Sequence, residues 1–206
     1  WARALCTRTI FRTAGLDPRA PHECTVLFQL GRDLVGDATP PHDAATLAPF
    51  VIDELAPRSG RVLMQITDKW ERLGASAGDV AALCSKLSAR YDALFVASQR
   101  ESKYAQRIAG MTNIAIETVG SVEPWKNAIA NAKAIVAPDS GAVHVAGMAG
   151  TPVAAVFAAE HFAIQSARWS PWAAPYRIVK IEPNWPLIAF DALADLIAGN
   201  VPIYRG

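Results

Sequence analysis

The stretch that decides the fold class is KAIVAPDSGAVHVAGMAGTPVAAVF, from Lys133 to Phe157. It opens with an apolar run, Ala134–Ala137, that is too short for a helix and therefore predicts a buried strand. Asp139–Gly141 has the composition of a helix N-cap with a glycine at the turn, and Gly150 is placed to end the helix that follows. A second apolar run, Val153–Phe157, completes a parallel strand–helix–strand unit with a right-handed crossover.

The start of this predicted helix suits an anionic ligand, because its first amides lack an intrahelical partner and the helix dipole adds partial positive charge. Ser140 can cap the helix or donate its hydroxyl to a phosphate, and Gly141 removes the Cβ that would keep a phosphate from the backbone. His144 lies one turn beyond Ser140, so its imidazole can point back towards the start of the same helix. A purely structural interpretation stays open, in which Asp139 and Ser140 only cap the helix and His144 is a half-buried histidine.

The rest of the chain from residue 61 onwards alternates between strand and helix patterns, which is typical of a parallel sheet with helices on both faces. The predicted strands are residues 61–66, 93–97, 114–116, 134–137, 153–157 and 177–181. The predicted helices, besides the one after Ser140, are residues 80–90, 102–108, 123–132 and 187–198, and the region after Phe157 is predicted to be a loop. We therefore predict one Rossmann-like α/β domain over residues 61–206.

The first sixty residues predict a mainly helical appendage, because they contain helical spacing but few strand patterns. One helix is predicted within residues 22–36 and a second within 44–56, where Pro49 must begin or kink it. These sixty residues are too short to form a second domain like the one that follows.

Two polar residues, Thr67 and Lys69, come directly after the first predicted strand. Open α/β sheets bind ligands at the carboxyl ends of their strands, so both residues belong to the edge that carries Ser140. A lysine at this place can reach a diphosphate at the Ser140 helix as a point charge. Thr67 either adds a hydroxyl to the same phosphate or caps the next turn, and a solvated surface role stays open for Lys69.

Composition excludes several classes of protein. The chain of 206 residues is 51% hydrophobic and 19% charged, as in an ordinary globular protein. Its net charge of +1, without a basic block, argues against nucleic-acid binding. Three widely spaced cysteines (Cys6, Cys24 and Cys84) show neither metal-ligand spacing nor a disulfide framework, which favours a reducing cytoplasm. The sequence has no Asp-x-Asp motif, so we expect neither a metal nor another cofactor.

The pattern D-S-G-x-x-H-x-A-x-x-x-G-T-P-x-x-A-x-F resembles the signature of the lipopolysaccharide heptosyltransferases, glycosyltransferase family 9. The matching residues are Asp139, Ser140, Gly141, His144, Ala146, Gly150, Thr151, Pro152, Ala155 and Phe157. In that family the segment lies in the C-terminal, nucleotide-sugar-binding half of a GT-B fold. The resemblance implies that residues 61–206 are this half and that residues 1–60 are a remnant of the N-terminal domain.

Further residues match the family segment by segment. Lys69-Trp70 resembles the lysine and tryptophan of the donor-phosphate loop, although the family often reads Lys-x-Trp-Pro and Glu71 stands here in place of the proline. Glu101, after the second predicted strand, resembles the acidic position that holds the nucleotide ribose, where a carboxylate accepts two vicinal hydroxyls. Arg168–Trp172 resembles a segment near the end of the domain. Its two tryptophans either stack on a base, face a partner domain or anchor the chain locally.

The resemblance implies an inverting glycosyltransferase that takes a sugar from a nucleoside diphosphate to a glycan or glycolipid acceptor in lipopolysaccharide or related synthesis. Such an enzyme is expected in the cytoplasm, with peripheral contact to the inner membrane. In the family the general base is an aspartate of the N-terminal domain. No aspartate of this sequence matches that base, so we assign no catalytic residue and expect the isolated chain to be inactive. The alternatives are a non-catalytic nucleotide-binding or assembly module and a GT-B relative such as a nucleotide-sugar epimerase.

Overall fold

A computed structural model describes residues 22–30, 40–53 and 57–200 of the chain. Its strands are β1 (Val62–Gln65), β2 (Ala93–Ser98), β3 (Glu117–Val119), β4 (Ala134–Pro138), β5 (Val153–Phe157) and β6 (Tyr176–Lys180). They form one sheet in the order β3-β2-β1-β4-β5-β6, and every neighbouring pair is parallel. The predicted Rossmann-like α/β architecture is confirmed.

Helices connect the strands and cover the sheet. They are α1 (Glu23–Leu30), α2 (Ala44–Leu47), α3 (Lys69–Arg72), α4 (Ala77–Arg90), α5 (Ser102–Thr112), α6 (Val122–Ala130), α7 (Gly141–Ala149), α8 (Phe162–Trp169) and α9 (Trp185–Ile197). Short 3₁₀ turns occupy Ala48–Phe50 and Gln99–Glu101. Among the described residues, no helix has both the length and the hydropathy that a membrane span requires.

The sheet has a separate hydrophobic core on each face, because successive side chains of a strand point to opposite sides. Met64 of β1 belongs to the core under α4, α5 and α9, whereas its neighbour Leu63 belongs to the core under α6 and α7. In β4, Val136 belongs to the first of these cores and its neighbour Ile135 to the second. Both faces are therefore covered, which explains why these strands read as continuous apolar runs rather than as alternating ones.

The described parts of the first sixty residues contain helices, as predicted, but these are short. The helix predicted within residues 22–36 extends over Glu23–Leu30, and the predicted remainder lies outside the described residues. The second one ends at Leu47, because Pro49 lies in the 3₁₀ turn that follows and cannot donate a hydrogen bond. The division into residues 1–60 and 61–206 stays a proposal.

Two predictions on secondary structure were wrong. The third strand is Glu117–Val119 rather than residues 114–116, because Ile114 and Ile116 pack against the core while the strand forms beside the end of β2. The region after Phe157 contains helix α8 instead of only a loop. Its N-cap residue, His161, has a left-handed backbone (φ 55°) and makes no side-chain cap, so the sequence carries no capping signal there.

Candidate functional site

A crevice opens in the sheet where the strand order reverses, between β1 and β4. Direct pairing of these two strands ends at Met64 opposite Val136. On the outer sides the ladders continue further, with Gln65 opposite Val96 and Pro138 opposite Val156. The carboxyl edge at such a reversal is the place where open α/β sheets bind ligands. Thr67 and Asp139 both follow strands at this edge, as predicted.

A small pocket of about 250 Å³ lies at this crevice. It is lined by Lys69, Asp139, Ser140, Gly141, His144 and Trp169. Five of the residues that the sequence singled out therefore meet in one place, although Lys69 begins α3 and the others belong to the turn after β4 and to α7. Because the pocket lies at the start of α7, it faces amides without intrahelical partners and the positive end of the helix dipole.

Ser140 caps α7 and also reaches across the crevice. Its backbone is extended, and its Oγ accepts a hydrogen bond from the amide of Ala142 at 3.3 Å. The same hydroxyl donates to Oε1 of Gln65 at 2.8 Å. This side-chain bond joins β1 to the start of α7 beyond the point where β1 and β4 stop pairing.

Lys69 is presented to the pocket by a firmly anchored loop. Its neighbour Trp70 is fully buried, stacks on Trp185 with 5.2 Å between ring centroids, and donates from Nε1 to the backbone carbonyl of Gln65 at 2.9 Å. The Nζ of Lys69 lies 4.0 Å from Oδ2 of Asp139, across the crevice. The short helix α3 thus places one positive charge directly beside the N-terminus of α7.

Thr67 is the predicted phosphate-binding residue that the structure does not bring into the pocket. Its side chain is buried, with 3% of the residue exposed, and it does not line the pocket. Its Oγ1 accepts from the amide of Lys69 at 3.2 Å. This geometry favours the turn-capping interpretation over contact with a ligand.

A larger cleft of about 980 Å³ adjoins the pocket and shares Gly141 with it. It is lined by Gln65, Asp68, Arg72, Ser98, Gln99, Arg100, Glu101, Val119, Gly120, Ser121, Val122, Trp125 and Gly141. Glu101 therefore lies in this cleft and not in the small pocket. Its Oε2 accepts a hydrogen bond from the Ser98 hydroxyl at 2.9 Å in a capping box, which fixes the carboxylate at the C-terminal end of β2.

His144 is neutral at physiological pH. Burial lowers its pKa below the ordinary value of 6.5, and the nearby positive charge of Lys69 acts in the same direction, while the carboxylate of Asp139 opposes both. Its ring meets Trp169 edge-on, with 5.8 Å between centroids. His144 can therefore offer a hydrogen bond to a ligand without carrying a charge.

Sequence reasoning missed Gln65 and Trp125, which line the larger cleft. Gln65 ends an apolar strand, and a polar residue at that position was the available signal. The sequence places the two tryptophans of Arg168–Trp172 close together, but the structure separates their side chains. Trp169 lines the pocket, whereas Trp172 packs between His22 and His42 as a local anchor, with 4.6 Å to each ring.

Comparison with known families decides the relationship of the chain. The sequence profile of the family described as glycosyltransferase family 9 (heptosyltransferase) matches residues 82–195 of the chain. The chain belongs to glycosyltransferase family 9. The matched residues contain the whole Asp139–Phe157 signature, so the resemblance seen in the sequence is confirmed. No curated protein matches the sequence.

Solved family 9 structures share the fold at low sequence identity. A family 9 glycosyltransferase from Veillonella parvula superposes with a TM-score of 0.62 at 14% identity, over 90% of this chain and 62% of its own. The E. coli ADP-heptose lps heptosyltransferase II superposes with a TM-score of 0.55 at 14% identity, over 80% of this chain and 53% of its own. E. coli heptosyltransferase WaaC with ADP superposes with a TM-score of 0.55 at 17% identity, over 84% of this chain and 54% of its own. This family 9 chain thus corresponds to about half of a heptosyltransferase GT-B structure.

Proposed function

We propose that this family 9 chain binds a nucleoside-diphosphate sugar and serves in its transfer, with inversion, to a glycan or glycolipid acceptor in lipopolysaccharide or related surface-glycan synthesis. One observation carries the proposal. Two adjoining cavities meet at Gly141, at the N-terminus of α7, and the smaller one pairs that N-terminus with Lys69. A helix N-terminus with an adjacent lysine is suited to a diphosphate.

The larger cleft suits the nucleoside. Its volume of about 980 Å³ is ample for a base and a ribose. The Glu101 carboxylate stands at its mouth and can accept two hydrogen bonds from the ribose hydroxyls. Trp125 adds a broad aromatic surface beside Gly141, where a base can stack. The proposed path therefore runs from Glu101, past Gly141, to Lys69.

The diphosphate is the leaving group of the proposed reaction. The α7 amides and Lys69 would stabilise the charge that develops on it, Ser140 would hold the start of α7 in place, and neutral His144 would add a hydrogen bond. WaaC from E. coli was solved with ADP and with ADP-2-deoxy-2-fluoro heptose, so ADP is the first nucleotide to test here. The general base stays unassigned, and a cytoplasmic site of action against the inner membrane stays a prediction.

Isothermal titration of the chain with ADP, UDP, GDP and CDP tests the proposal. We expect at least one diphosphate to bind, and to bind more tightly than its monophosphate and its nucleoside, because the second phosphate reaches Lys69. Binding of nucleoside and diphosphate with equal affinity would contradict the placement of the diphosphate at α7. Failure of all four diphosphates would overturn the proposed function.

A further inference from the structure

Gln65 holds both walls of the crevice between β1 and β4. It is the last residue of β1 and is half-buried at the point where the two strands stop pairing. Its backbone carbonyl accepts from Nε1 of Trp70, which anchors the Lys69 loop, and its side-chain Oε1 accepts from the Ser140 hydroxyl. One residue thus connects the loop that carries the lysine with the N-terminus of α7.

The Gln65 amide is oriented with its oxygen towards Ser140. The Oγ of Ser140 already accepts from the amide of Ala142, so its own proton is available for Oε1 of Gln65. The Nε2 group of Gln65 consequently points away from Ser140. Within the described part of the chain, this Nε2 has no hydrogen-bond acceptor, although it carries two N–H donors.

The position of these donors matches the boundary between the two cavities. Gln65 lines the large cleft, and its hydrogen-bond partner Ser140 lines the small pocket. A nucleoside diphosphate that occupies both cavities must cross this boundary with its phosphate chain. An amide donor is suited to that place, since it can bind phosphate oxygens without adding a negative charge of its own.

We propose that Gln65 is a diphosphate-binding residue of the donor site, in which Ser140 holds Oε1 so that Nε2 donates to the phosphate chain. This inference rests on the proposed function. It assigns a direct ligand contact to a residue that would otherwise serve only to brace β1 against α7. It also limits the role of Ser140, whose hydroxyl proton is committed to Gln65 and not to the ligand.

Two substitutions separate ligand binding from bracing. Gln65→Glu keeps an acceptor for the Ser140 hydroxyl but replaces the donor by a negatively charged oxygen. Gln65→Met removes the acceptor and the donor while keeping the length of the side chain. If Gln65 binds the diphosphate, Gln65→Glu weakens ADP binding by about tenfold or more and is the more damaging of the two. A brace alone predicts the reverse order, in which Gln65→Met loses more ADP affinity than Gln65→Glu because it removes the acceptor for the Ser140 hydroxyl.

Isothermal titration with ADP and with adenosine at pH 7.5 gives the comparison, and thermal melting of each variant checks the fold. Gln106→Glu, the same change at an exposed site on α5 outside both cavities, is the matched control and should bind ADP like wild type. Adenosine affinity should stay unchanged in all variants.

The outcomes distinguish the two levels of the hypothesis. If wild type binds ADP and Gln65→Glu binds it equally well, this inference is wrong and the proposed function stands. If wild type binds none of the nucleoside diphosphates, both are wrong. If Gln65→Met alone loses affinity, Gln65 is a brace and not a ligand-binding residue.

Discussion

Lys69 and Asp139 face each other across the crevice between β1 and β4, with 4.0 Å between Nζ and Oδ2. The two side chains are 33% and 20% exposed, so water screens the pair and its contribution to stability is small. A partly exposed pair of this kind can be exchanged for a ligand, because a diphosphate carries more negative charge than one carboxylate. Lys69 is thus held ready at the N-terminus of α7 without being locked into a structural role.

Lys69→Ala should weaken the binding of ADP roughly tenfold or more, since charge-assisted contacts of this type are worth about 1.5–3 kcal/mol. Adenosine should bind almost as well as it does to wild type, because it lacks the phosphates that the lysine contacts. Isothermal titration of both ligands measures the difference.

The matched control is Lys133→Ala, an exposed lysine directly before β4 and so at the opposite edge of the sheet. It removes the same charge from the chain but should leave ADP affinity unchanged. Equal ADP binding by wild type and Lys69→Ala would assign Lys69 to the solvated surface.

Gly141→Val should damage ADP binding more than folding. Gly141 has no positive φ, so the turn does not require a glycine for backbone reasons. A Cβ at this position would lie 3.5 Å from the Trp125 ring, an ordinary contact, but it would project where the two cavities meet. Titration with ADP and thermal melting give the comparison, and a large loss of melting temperature in the unliganded variant would show that the glycine serves packing.

Gly147→Ala should damage folding more than ADP binding. Its Cβ would lie 2.8 Å from the backbone nitrogen of Trp172 and 3.3 Å from Cα of Pro171. Backbone cannot move aside as a side chain can, so we expect a loss of about 1–3 kcal/mol in the free energy of unfolding. Urea denaturation measures this loss, and an unchanged midpoint would mean that the segment after α8 is not packed on α7 as described.

His22 should make the stability of the chain depend on pH. Burial lowers its pKa below the ordinary value of 6.5, helped by His42, while its bond to Ser170 and the charge of Glu23 oppose the shift. Its Nε2 donates to the Ser170 carbonyl at 2.8 Å and its Nδ1 accepts from the amide of Cys24, so the folded state favours the neutral ring. Its stabilising contribution is therefore complete above about pH 6.5 and falls as the pH drops towards the lowered pKa.

His22→Gln keeps a donor for Ser170 but cannot titrate, so its free energy of unfolding should fall less than that of wild type between pH 7.5 and 5.5. His161→Gln, the same substitution at a half-exposed site, is the matched control. Urea denaturation at both pH values provides the measurement. Parallel behaviour of His22→Gln and wild type would show that the pKa of His22 does not differ between the folded and the unfolded chain.

The 206-residue chain should not transfer sugar at a useful rate, even where it binds the donor. Stabilising the leaving diphosphate is one part of such catalysis, and general-base assistance adds typically about 10²–10⁴-fold. Positioning of the acceptor contributes more still. The assay is donor turnover with a heptose-deficient lipopolysaccharide acceptor. Robust transfer would mean that residues of this chain supply a base and an acceptor cleft that the family resemblance does not indicate.

Much of the fold could be predicted because its signals are local. The apolar run Val153–Phe157 is a strand with the predicted bounds, and Ser140 caps α7 through the amide of Ala142. Gly150 ends that helix with a left-handed backbone (φ 72°), a conformation that glycine adopts without strain. Each of these features depends on a few neighbouring residues, so the sequence alone was sufficient.

The candidate site could be predicted only in part, because its residues come from separate elements. Asp139, Ser140, Gly141 and His144 share one turn of chain and were found together. Gln65, in contrast, gains its meaning from a hydrogen bond to a residue on another element. Nothing in the local sequence of β1 distinguishes it from a polar residue that merely ends a strand.

The sequence by itself determined the α/β class, the strand–helix–strand unit around Ser140 and the family, since hydrophobic runs, caps and the signature are written in consecutive residues. The tertiary structure decided the strand order, and with it the contact of Lys69 with Asp139 and of Gln65 with Ser140. It also decided that Trp169 faces His144 while Trp172 packs between two other histidines. The physical reason is that β1 and β4 are far apart in the sequence. They become neighbours only when the whole sheet assembles and both of its faces are buried under helices.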